Sequence, residues 1–94
     1  MKVYQLHIGS NSPDGRISPE TESSIQAAVS TEFPSFSLLR GKGFFRGQAE
    51  ELLIVKIATD REEVVYQLAS TLREALHQDG IGIEHDGNYN RVTK

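Results

Sequence analysis

Glu50-Glu51-Leu52-Leu53-Ile54-Val55-Lys56-Ile57-Ala58-Thr59-Asp60 is the stretch on which the fold reading turns. Leu52 to Ile57 is short, rich in β-branched residues and apolar on both faces, which predicts a strand at a central position in the sheet. Asp60 with Glu63 has the spacing of a capping box, so a helix is expected to begin there. Val64, Val65, Leu68, Ala69, Leu72 and Leu76 continue it as an amphipathic stripe. Gly80 stands where a helix-ending glycine is expected, and Ile81 and Ile83 begin a short last strand. Asp86-Gly87 is a turn signal.

Upstream of the same stretch, Gly47 and Gln48 predict a turn, and Phe36 to about Phe45 a strand loosened by Gly41 and Gly43. Pro34 ends a helix whose start is marked by Ser18 as cap, Pro19 at the first position and Glu20 and Glu22 in the first turn. Ile25, Ala28, Val29 and Phe33 supply its apolar face. Gly9 to Gly15 is dense in turn formers. Val3 to Ile8 alternates as a strand, with Tyr4, Leu6 and Ile8 on one side and Val3, Gln5 and His7 on the other.

The elements therefore run strand, helix, strand, strand, helix, strand. This predicts a single α+β domain over 1–94: a ferredoxin-like βαββαβ sandwich, with a four-stranded antiparallel sheet and two helices on one face. The third strand is apolar on both sides, so the open sheet face needs a cover. A second copy of the chain is the expected one, making a homo-oligomer. The hairpin Arg40 to Glu51 and the end of the last strand, Glu84 to Asn88, are expected at one edge. The Gly9 to Ser18 loop is expected at the other, near Thr59 and Asp60.

Bulk composition narrows the function classes. The chain has 94 residues, 37% of them hydrophobic, enough for one modest core. A net charge of −3 gives no general attraction to nucleic acid or an anionic membrane. Absence of cysteine removes disulfides, zinc–thiolate sites and thiol nucleophiles together. No apolar run approaches a membrane span, so a soluble cytoplasmic protein is expected.

Chemistry-bearing residues concentrate in Arg40-Gly41-Lys42-Gly43-Phe44-Phe45-Arg46-Gly47. Arg40, Lys42, Phe44 and Arg46 form a candidate ligand site, since cations and aromatics on a glycine-rich loop can cradle an anion or stack on a base. The plainer reading is a twisted hairpin with Phe44 or Phe45 in the core. RNA-recognition domains share this topology but place stacking aromatics on the third strand, and Leu52 to Ile57 has none. Glu84 and His85, beside Asp86, form a second polar cluster. His7 stands on the open face without a second histidine at metal spacing, and His77 suits a helix end. No nucleophile elbow, phosphate loop or metal motif is present, and no cofactor is called for. Glu50 and Glu51 are candidate catalytic groups: a carboxylate sheltered beside aromatics suits a general base or a cation binder.

Gly43-Phe44-Phe45-Arg46, the pair Glu50-Glu51 opening an apolar strand, and Gln78-Asp79 before Ile81-Gly82-Ile83 together resemble the small S-adenosylmethionine-degrading enzymes of bacteriophages, over roughly residues 41–84. The layout is also similar to small uncharacterised ferredoxin-like families. The enzyme resemblance implies a lyase acting on a sulfonium between subunits of an oligomer, with Glu50 or Glu51 facing the cation and aromatics lining the pocket. The residues by themselves lean instead toward a non-catalytic, homo-oligomeric binding or regulatory module. A third reading is an interaction module that offers the Arg40 to Gly47 hairpin to a larger protein.

Overall fold

The computed structural model describes residues 1–93. Its elements are β1 (Lys2–Gly9), α1 (Pro19–Ser30), β2 (Ser37–Phe45), β3 (Gln48–Thr59), α2 (Glu62–Ala75), β4 (Gly80–His85) and β5 (Asn88–Thr93). The chain is α+β, with two helices and one sheet, antiparallel at every pairing, in the order β2-β3-β1-β4-β5.

β5 corrects the expected four strands to five. Asp86 and Gly87 are both left-handed (φ 51° and 75°), the two-residue turn that sends a strand straight back along its neighbour. Asn88-Tyr89-Asn90-Arg91-Val92-Thr93 has too few apolar residues for a period-two signal. Tertiary contacts support it instead: Val92 packs against the core and Asn90 Nδ2 donates to the Tyr66 hydroxyl at 3.1 Å.

Strand alternation sends Tyr4, Leu6 and Ile8 of β1, Leu53, Val55 and Ile57 of β3, and Ile81 and Ile83 of β4 to one face. There they join Ile25 and Val29 of α1 and Val65, Leu68, Ala69 and Leu72 of α2 in a single core. Each such side chain contributes roughly 1.5–3 kcal/mol on burial. Exposed ion pairs contribute about 0–1 kcal/mol each, so this face decides the fold. The opposite face carries Val3, Gln5 and His7 beside Leu52, Ile54 and Lys56. β3 lies inside the sheet, as its two apolar sides require, while β1 is central.

Helix ends differ from expectation in two places. α1 starts as read: Ser18 Oγ accepts from the Thr21 amide at 3.1 Å, and Pro19 follows. α2 has no side-chain cap. Asp60 pairs instead with the Met1 ammonium at 3.2 Å, and Thr59 Oγ1 accepts from the Arg61 amide at 3.1 Å. At the other end, His77 takes the left-handed position (φ 54°), and the Gln78 amide donates to the Arg73 carbonyl at 2.9 Å. Gly80 is therefore free to open β4, where its lack of a side chain serves another purpose. Among the described residues no helix is long and apolar enough to cross a membrane.

Candidate functional site

The β1–β3 register pairs Lys2 with Thr59 and Gly9 with Leu52. The Gly9 to Ser18 loop therefore lies beside the β2–β3 hairpin, not near Thr59 and Asp60 as expected. Glu84 pairs with Gln5 and lies toward the far end with His85, away from the hairpin. The two expected groupings are exchanged, because antiparallel pairing brings the end of β1 to the beginning of β3.

The loop is tied down by polar contacts. Ser12 Oγ and the Arg16 amide donate to Asp14 Oδ1 at 2.7 and 3.0 Å, and these bonds hold the Asp14 carboxyl below the usual range. The Glu51 amide donates to the Gly15 carbonyl at 2.7 Å. Asn11 Nδ2 donates to the Leu76 and His77 carbonyls at 3.2 and 2.9 Å, closing the C-terminus of α2. Gln78 Nε2 donates to the Gly9 carbonyl at 2.9 Å. Gly9, Ser10, Asn11 and Gln78 thus form a ridge with a cleft on each side.

Glu50 and Glu51 fall on opposite sides of that ridge, since neighbours on a strand face opposite ways. Glu51 points toward the helices. Its carboxylate accepts from the Ile17 amide at 2.6 Å and from Arg40 Nη1 at 3.3 Å. Arg40 Nη2 lies 2.6 Å from Glu22. Lys42 pairs with Glu51 in the β2–β3 register, so Arg40 and Lys42 stand on this side. The cleft here is the larger, about 740 Å³, and two of its charged residues, Arg40 and Glu51, are paired with each other.

Glu50 points to the open sheet face and has no ion-pair partner among the described residues. It lines a groove of about 360 Å³ with Phe44, Phe45, Leu52, His7, Tyr89 and Arg91. Volumes of this order are typical of small-ligand sites. Its floor is glycine: Gly9, Gly43, Gly80 and Gly82 place no side chains there. Glu50 Oε1 lies only 2.8 Å from where a Cβ on Gly9 would stand. A Cβ on Gly82 would collide with Tyr89, and one on Gly80 with Arg91.

Neither Phe44 nor Phe45 enters the core, contrary to the plainer hairpin reading; they are 68% and 66% exposed. Arg46 and Gly47 form the left-handed turn (φ 51° and 79°), one residue earlier than Gly47-Gln48, and Arg46 lies 5.2 Å from the Phe45 ring centroid. The Glu84–His85 cluster is split by the same alternation. Glu84 meets His7 Nε2 at 3.3 Å on the open face. His85 stacks on Tyr4 at 4.3 Å and meets Asp86 at 3.2 Å on the other. Of the expected ligand residues, only Phe44 lines the groove with Glu50. Tyr89, Arg91 and the glycine floor were not foreseen; alternate glycines at 80 and 82 before a hairpin turn are the signal that marks them. Among the described residues no three histidine or carboxylate side chains converge to hold a metal ion.

No family model matches the sequence, and no curated protein matches it. Among solved structures, a phage SAM lyase in its apo state and a phage SAM lyase in complex with S-methyl-5′-thioadenosine are similar. Each has a TM-score of 0.67 and 16% identity, over 99% of this chain and 89% of that chain. At that identity the likeness is one of fold. The resemblance read over residues 41–84 thus extends, as fold, to nearly the whole chain.

Proposed function

We propose that this protein is a lyase that binds S-adenosylmethionine in the open-face groove and releases S-methyl-5′-thioadenosine. The observation that carries the reading is Glu50: a carboxylate without an ion-pair partner among the described residues, in a glycine-floored groove flanked by Phe45 and Tyr89. Such a site suits a sulfonium cation attached to a flat ring system. Whole-chain likeness in fold to a SAM lyase supports it. The sheet order supports a ferredoxin-like plait with β5 added at one edge.

The chemistry needs neither water nor a redox partner. A carboxylate oxygen of the methionine moiety attacks its own γ-carbon, and the bond from that carbon to sulfur breaks. The electron pair goes to sulfur, leaving a neutral thioether and a five-membered lactone, with no proton transferred. Opposite charges cancel as the transition state forms, so a water-poor site favours the step. Glu50 then stabilises the charged substrate more than the transition state, which assigns it to binding rather than to rate. Incubation with S-adenosylmethionine, followed by chromatography, should show the thioether and the lactone in equal amounts. Absence of both products, with no saturable thermal shift, would falsify the reading.

A second reading has its own support. Val3 and Leu39 are exposed, and Leu52 and Ile54 half-buried, on the same open face. We propose that a second copy of this soluble, cytoplasmic chain covers that apolar area. If S-adenosylmethionine bound without turnover, the protein would be a homo-oligomeric binding module instead.

A further inference from the structure

β4 places glycine at both of its successive open-face positions, Gly80 and Gly82. Side chains from the edge strand β5 occupy the space so created. Tyr89 lies over Gly82 and Arg91 over Gly80, so closely that any side chain at either glycine would collide with them. Tyr89 also meets His7 edge-on at 5.8 Å between ring centroids. An exposed arginine normally extends into water, where its charge is best solvated. Arg91 instead lies along the groove, and no ion pair or hydrogen bond to it is found among the described residues.

Opposite it stands Glu50. Continuing the β1–β4 register from His7 with Gly82 brings Gly9 beside Gly80. The Glu50 carboxylate sits at Gly9 and the Arg91 guanidinium at Gly80. One negative and one positive group thus stand over two neighbouring glycines. They stand over adjacent strands, whose spacing is roughly 5 Å. In S-adenosylmethionine the sulfonium and the carboxyl carbon are separated by four bonds, the carbon–carbon ones roughly 1.5 Å each, which spans a gap of that order.

We propose that Arg91 is the residue that recognises the substrate's carboxylate, selecting sulfonium nucleosides that carry an amino-acid tail, while Gly80 and Gly82 exist to let the β5 side chains lie in the groove. This rests on the lyase reading above. The guanidinium offers a planar fork of donors to the carboxylate, and its charge complements that of Glu50. A ligand with only the cationic end would engage Glu50 alone.

Steady-state kinetics with S-adenosylmethionine, which the lyase consumes, and calorimetric titration with its decarboxylated analogue and S-methyl-5′-thioadenosine test it. Arg91→Ala and Arg91→Gln should raise the Michaelis constant for S-adenosylmethionine roughly 10- to 100-fold, the range for losing a charged hydrogen bond. The two ligands without a carboxylate should bind these variants as they bind the wild type. Arg91→Lys should fall between, since it keeps the charge but loses the fork. Arg91 is exposed, so unchanged thermal midpoints are expected and serve as the folding control. Equal weakening of all three ligands, or none of any, would overturn the role of Arg91 while leaving the lyase reading intact. A wild type that consumes no S-adenosylmethionine would overturn both.

Discussion

Glu50 and Glu51 are chemically equivalent neighbours with different surroundings, and substitution should separate them. Glu51 joins the Ile17 amide to Arg40. Glu51→Gln should therefore lower stability by about 1–2 kcal/mol, read from chemical denaturation, by weakening charge-assisted bonds. Glu50→Gln should leave stability within about 0.5 kcal/mol, as a surface change does. It should raise the Michaelis constant for S-adenosylmethionine several-fold while turnover is kept or rises, since the lost contact favours the charged substrate over the transition state. A large fall in turnover at unchanged affinity would instead make Glu50 a participant in the chemistry. Gly82→Ala should leave the fold in place yet displace Tyr89, because the clash is with an exposed side chain and not with backbone. Its expected readout is lost ligand binding at a nearly unchanged melting temperature.

At the scale of elements, the Gly9 to Ser18 loop is held by Asp14 at its turn and by β3 at its base. Hydrogen bonds from Ser12 and from the Arg16 amide lower the Asp14 pKa in the folded state. A lowered folded pKa means stability that is present above the unfolded value, about 3.9, and lost as pH falls through the folded one. Asp14→Asn should thus be less stable than wild type at neutral pH, with the gap closing as the pH drops below that range. Unfolding midpoints measured across pH 2–7 check this, and a gap independent of pH would count against it. Tyr4 has the opposite sign. Burial, and then the Glu62 carboxylate accepting from its hydroxyl at 3.2 Å, raise its pKa, so its contribution is lost on the alkaline side.

For the whole molecule, the open face divides into two parts. One end is the groove, with β5 side chains lying over glycine. The rest carries the apolar side chains of Ile54, Leu39 and Val3 among the polar ones of Gln5 and Lys56. If a second copy covers that part, Ile54→Lys should shift light scattering toward the monomer while circular dichroism stays unchanged. An unaltered mass would place the contact elsewhere, and a wild type that is strictly monomeric at high concentration would remove it.

Elements of the core were legible from sequence because each depends on local periodicity. Tyr4, Leu6 and Ile8 alternate, Leu53, Val55 and Ile57 alternate, and Val65, Leu68 and Leu72 recur at helical spacing. Gly43 to Arg46 and the glutamate pair lie together at one end of the sheet, as a hairpin reading of β2 and β3 requires. β5 was not legible, since an edge strand with one half-buried apolar residue, Val92, carries almost no pattern. Nor was the division of Glu50 from Glu51, or the exchange of the loop with Glu84 and His85. Sequence spacing says which residues share a strand face, but pairing register says which strands bring those faces together. Register is a long-range property, set here by how β1 lies between β3 and β4. The order of the first six elements and the composition of the core were thus determined by the sequence alone. The groove, with Glu50 on one side and Arg91 on the other, was decided only by tertiary packing, which carried a weakly patterned edge strand across two glycines.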